Sequence, residues 1–125
     1  MLLAAAAVLV AALVLPLAGN AARADDDAEI RVRGTCSRTS EASLRARADD
    51  GRIRIDVRID TRRRGAAWSV IVLHERRIAY RGVVRTNRSR AIRLRRTVRD
   101  LFGRDSLVVR ASGPARETCR VSGSL

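Results

Sequence analysis

Lysine is missing from this chain altogether, so all 26 of its cationic side chains are guanidinium groups. Aromatic residues are almost as scarce, with one Trp, one Tyr and one Phe, and histidine occurs once. Each shortage excludes a class of chemistry. A single histidine, His74, with no matching ligands around it leaves no zinc-binding spacing, and the chain has no C-x-x-C, H-E-x-x-H, G-x-S-x-G or phosphate-loop motif. His74 falls in "LHERRI", which reads as a hairpin turn, where an exposed structural histidine is expected rather than a catalytic base. Asp25, Asp26 and Asp27 lack the spaced ligands of a calcium loop and read as a solvated tail. Three aromatics are too few for the stacking platforms of single-strand nucleic-acid binders, and Trp68, in an apolar strand, reads as core. The expectation is a non-enzymatic protein with no cofactor, no metal and no sequence-specific nucleic-acid binding.

Leu2 to Leu15 is an almost unbroken Leu/Ala/Val run, followed by Pro16, Gly19 and two small-residue patterns, "GNA" ending at Ala21 and "ARA" ending at Ala24. This reads as a secretory signal peptide over residues 1–24, cleaved after Ala24. The alternative is an uncleaved membrane anchor, for which about 17 apolar residues lie at the bottom of the spanning range. Cleavage leaves a secreted or cell-envelope domain over residues 25–125, with no stable membrane span. That domain has 101 residues and carries 25 arginines against 13 acids, a net charge of +12. Such a charge favours anionic partners, although a coding bias toward arginine would also produce it.

Cys36 and Cys119, the two cysteines, lie near opposite ends of the mature chain and are delivered to an oxidising compartment, so a disulfide between them is expected. Between them the dominant period is two. Strands are predicted near 28–35, 42–48, 52–61, 67–74, 78–85, 90–98, 106–112 and 117–122, with turn residues between, the pattern of an all-β sandwich. Asp50-Gly51 is a favoured two-residue hairpin loop. It sets Ala48 opposite Ile53, Ala46 opposite Ile55 and Leu44 opposite Val57, and on the other face Asp49 opposite Arg52, Arg45 opposite Asp56 and Arg47 opposite Arg54. Strand arginines such as Arg52, Arg54 and Arg58 are thereby explained as the wet face of a half-buried sheet. Asp100 and Asp105 flank "LFGR" and are expected to anchor that turn.

The stretch "IRLRRTVRDLFGRDSLVVRASGP" resembles the part of fibronectin type III and other immunoglobulin-like modules in which a strand leads through a Leu-containing turn with Gly into the next strand. The mature region is also similar to small secreted actinobacterial-type proteins without an assigned activity. The resemblance implies an antiparallel immunoglobulin/fibronectin-III-like β-sandwich of about seven strands plus an extra N-terminal one.

If each strand reverses its predecessor, the connections 61–66, 86–90 and 113–116 gather at one end. They bring together Arg62, Arg63, Arg64, Arg88, Arg90 and Arg116, with Arg85 adjacent, as a candidate anion-binding end. The other end receives 49–51, 74–77 and 99–105, where acids and arginines roughly balance. The functional expectation is a secreted, non-catalytic binding module for an anionic partner: a cell-envelope polymer, a lipid headgroup or an acidic protein. The alternative is a structural or protein-interaction module, an enzyme inhibitor included, whose basic charge has no specific partner.

Overall fold

The computed structural model describes residues 28–125. The expected signal peptide over residues 1–24, its expected cleavage site and Asp25–Asp27 lie outside the described residues. Nine strands follow one another: β1 (Glu29–Arg33), β2 (Thr35–Cys36), β3 (Glu41–Asp49), β4 (Arg52–Asp60), β5 (Ala67–His74), β6 (Arg77–Arg85), β7 (Ala91–Arg99), β8 (Ser106–Ser112) and β9 (Thr118–Ser124). They form a four-stranded sheet in the order β1-β3-β4-β7 and a five-stranded sheet in the order β2-β9-β8-β5-β6, with every pairing antiparallel. Sequential strands that change sheet, such as β4 to β5 and β6 to β7, make this a sandwich with crossed connections, an arrangement compatible with immunoglobulin-like modules.

Alternation explains most of the assembly. In β4, Ile53, Ile55, Val57 and Ile59 are all buried, while Arg52, Arg54 and Arg58 between them are exposed. The β3–β4 hairpin has the register expected from its turn, pair for pair, from Asp49 opposite Arg52 to Leu44 opposite Val57. Asp50 and Gly51 both take left-handed backbone, at φ 51° and 73°, which matches the twist of the flanking strands. From the facing sheet come Trp68, Val70, Val72, Leu107, Val109 and Val121, so the two inner faces close on each other as one hydrophobic core.

The predicted first strand is divided. Its N-terminal part pairs with β3 in one sheet, and after Gly34 the chain pairs with β9 in the other. Gly34 is the crossing point because a Cβ there would lie 2.4 Å from the backbone oxygen of Arg120. The crossing places Cys36 directly opposite Cys119, and the two form a disulfide that spans 83 positions of sequence. On a chain-entropy argument, a loop of that length removes unfolded-state freedom worth about 4.5 kcal/mol.

His74 is not the exposed turn residue that the sequence predicts. It is the last residue of β5, on the same inward side as Trp68, Val70 and Val72, and it is buried. The turn begins one residue later, at Glu75 and Arg76, which carry positive φ of 50° and 64°. His74 Nε2 lies 2.6 Å from Asp105 Oδ1, and the same carboxylate oxygen accepts the Leu101 N–H at 3.2 Å. Asp105 is only 1% exposed, so it anchors the β7–β8 turn from within, as its place beside "LFGR" predicts. On the open side of the sandwich the Arg96 guanidinium lies 4.5 Å from the centre of the Tyr80 ring, a cationic side chain covering the gap between the β6 and β7 edges.

Candidate anion-binding end

The antiparallel order carries the loops 37–40, 61–66, 86–90 and 113–117 to one end, with the disulfide beside them. These loops are tied together through their backbones. Thr61 N–H donates to Arg90 O at 2.8 Å, and Thr61 Oγ1 donates to the same oxygen at 3.0 Å. Thr86 N–H donates to Ala66 O at 2.9 Å, while the Thr86 hydroxyl accepts the Ala66 N–H at 2.9 Å. Arg85 Nη1 donates to Gly65 O at 3.1 Å. Across the end, Ser40 donates its N–H at 3.2 Å and its hydroxyl to the buried carboxylate of Glu117, which joins the 37–40 loop to the β8–β9 connection.

Apart from Arg85, which holds Gly65 O, the arginine side chains of this end take no part in these ties. Arg62, Arg63, Arg64, Arg85, Arg88, Arg90 and Arg116 are all exposed, and none of them makes an ion pair with a carboxylate among the described residues. Arg38, on the 37–40 loop, shares both properties. The acids at this end are few: Glu117 is held by Ser40, Asp60 receives Arg58 at 2.9 Å, and Glu41 is exposed at the start of β3.

The outer face of the four-stranded sheet is different. There Glu29 accepts Arg31 at 3.2 Å and Arg45 at 2.7 Å, Asp56 lies 3.5 Å from Arg93 and 3.6 Å from Arg95, and Asp49 lies 3.6 Å from Arg54. The hydrogen bonds from Arg31 and Arg45 hold the Glu29 carboxyl below its ordinary pKa. On this face Arg31, Arg45, Arg54, Arg58, Arg93 and Arg95 thus share carboxylates, whereas Arg33, Arg47, Arg52 and Arg99, like the arginines of the candidate end, have no ion pair among the described residues.

The arginine end has two parts. Arg38, Arg62 and Arg63 line a cleft of about 400 Å³, together with Thr61, Pro114 and Trp68. Arg64, Arg85, Arg88 and Arg90 lie on the β4–β5 and β6–β7 connections and the adjoining end of β6, outside the cleft, and Arg116 sits on the β8–β9 turn. In that turn Ala115 and Arg116 both have left-handed backbone, φ 55° and 59°. Trp68 is buried as expected, at 1% exposure, and packs so closely on Gly113 that a Cβ there would lie 2.4 Å from the indole. Its Nε1 is a buried polar atom without a hydrogen-bond partner among the described residues.

Sequence reasoning missed Arg38. The signal was available, because the connection before β3 falls at the same end by the same rule of strand reversal. The fold and this end define an antiparallel β-sandwich with an unpaired arginine cluster at one pole. No family model matches the chain, and no curated protein or solved structure matches it either.

Proposed function

We propose that the chain is a secreted, non-catalytic β-sandwich, immunoglobulin- or fibronectin-III-like, that binds an anionic polymer through its arginine-rich end. The observation that carries this reading is the distribution of ion pairs. On the outer face of the four-stranded sheet Arg31, Arg45, Arg54, Arg58, Arg93 and Arg95 share carboxylates, whereas Arg38 and the seven arginines of the candidate end have none among the described residues. A guanidinium without a carboxylate partner keeps donors for phosphate, sulfate or carboxylate groups, Arg85 apart from the one it gives to Gly65 O. Because the cluster extends beyond the cleft over several connections, it suits a chain of repeated anions better than one small ion.

The test compares two triple variants of equal charge change. Arg62, Arg63 and Arg64 are replaced by Glu in one, and Arg52, Arg54 and Arg58 in the other. On a heparin column the loop variant is expected to elute at clearly lower salt than the strand variant. Elution of both at the same salt concentration would show a diffuse field with no preferred end, and the reading would be wrong.

A protein-interaction role is the second reading. It is favoured by Ile78 and Val83, which stand 57% and 66% exposed on the edge strand β6. A partner held there by apolar contacts would be insensitive to salt, which distinguishes it from the first reading.

A further inference from the structure

The opposite end of the sandwich carries a loop that polymer binding does not use. Phe102 is fully exposed and Leu101 is 43% exposed, at the tip between β7 and β8. This tip is fixed at both feet. Asp100 N–H donates to Gly51 O at 2.9 Å, Leu101 N–H donates to the buried Asp105, and Asp105 exchanges two backbone hydrogen bonds of 3.0 Å with Leu125. Held in this way, the loop presents its two apolar side chains instead of folding them away. A whole phenyl ring in water is apolar surface that serves nothing inside the molecule, and it fits a surface that receives it.

Two further observations identify that surface. First, Arg52, Arg76, Arg77, Arg99 and Arg104 stand at this end without an ion pair among the described residues. Of the acids beside them, Asp105 is engaged with His74, Glu75 with the Ser106 N–H and Asp49 with Arg54, which leaves the exposed Asp50 of the β3–β4 turn as a carboxylate without an ion pair among the described residues. An apolar tip on an end that also carries guanidinium groups without ion pairs matches the boundary between acyl chains and phosphate groups. Second, the chain enters the domain here. Ala28 lines one small cavity with Asp100, Gly103 and Arg104. Only residues 16–27 separate it from the apolar run Leu2–Leu15, a reach of at most about 40 Å. As a signal or an anchor, that run would hold this end of the domain near a bilayer.

We propose that the Leu101–Phe102 end docks on an anionic lipid bilayer, with the two side chains in the interface and the arginines at the level of the phosphates. This goes beyond the polymer-binding reading and does not depend on it. The long strands then hold the arginine-rich pole about 30 Å away from the lipid, at the usual rise per residue.

The experiment uses the full chain with two single variants, Phe102→Trp and Arg63→Trp. The buried Trp68 supplies a constant background. Each protein is mixed with vesicles of phosphatidylglycerol and phosphatidylcholine whose phosphatidylcholine bears brominated acyl chains. The emission added by Phe102→Trp is expected to shift to the blue and be largely lost to quenching, while that added by Arg63→Trp persists. Vesicles of brominated phosphatidylcholine alone should quench Phe102→Trp far less. Three results would overturn the proposal: no quenching of Phe102→Trp, as when a protein pocket is the real occupant; equal quenching of both variants; or equal quenching in neutral vesicles. Each of these leaves the heparin comparison untouched, so the two readings fail separately.

Discussion

Asp105 and Phe102, three positions apart, divide the work of one loop. The carboxylate of Asp105 is buried and receives both His74 and the Leu101 N–H. Replacing it by Ala strands two polar groups, one of them buried, and is expected to lower unfolding stability by on the order of 3 kcal/mol in urea titrations. Phe102 makes no comparable contribution, because it is fully exposed. Phe102→Ser should leave stability within about 0.5 kcal/mol of the parent. A large loss from Phe102→Ser, or none from Asp105→Ala, would contradict this division. The sequence marks Asp105 as a turn anchor but conceals its partner. His74 lies next to the turn residues Glu75 and Arg76, and only strict counting along β5 from Trp68 puts it on the inner face.

At the scale of elements, the hairpins were the most legible part of the chain. A two-residue Asp-Gly loop admits one register, and the resulting pairs were open to a check of apolar against apolar and charge against charge. The division of the N-terminal segment was not legible in this way. Residues 28–35 alternate without interruption on either side of Gly34, and nothing local says that the chain changes sheets there. The signal lies in a contact distant in sequence, the approach of Gly34 to the backbone of Arg120. A backbone oxygen cannot rotate aside as a side chain can. Gly34→Ala should therefore destabilise the fold by about 1–3 kcal/mol, with the melting temperature as the readout. If the alanine variant melts like the parent, β2 and β9 are not packed as closely as described.

For the whole molecule, the sorting of loops between two poles was legible because antiparallel order leaves little choice once the strands are found. The engagement of the sheet-face arginines was legible only in part. Arg45 opposite Asp56 follows from the hairpin, but Glu29 with Arg45 and Asp56 with Arg93 and Arg95 depend on β1 and β7 flanking that hairpin, which no short-range pattern encodes. The apolar tip was equally hidden, since a Leu-Phe pair in a turn reads as readily as a core plug as an exposed point.

The disulfide has a mechanical consequence. Tension applied between Ala28 and Leu125 pulls on β1 and β9, but the covalent bond from Cys36 to Cys119 bypasses everything between them. Only residues 28–36 and 119–125 can be drawn out, and every arginine of the candidate end from Arg38 to Arg116 lies inside the closed ring. In single-molecule stretching, the oxidised domain should lengthen by only a short step. After reduction, the same pull should release the chain between the two cysteines, a sequence separation of 83, adding about 290 Å of contour at the usual extended length per residue. A domain built this way can carry load through its ends while its arginine-rich pole stays folded.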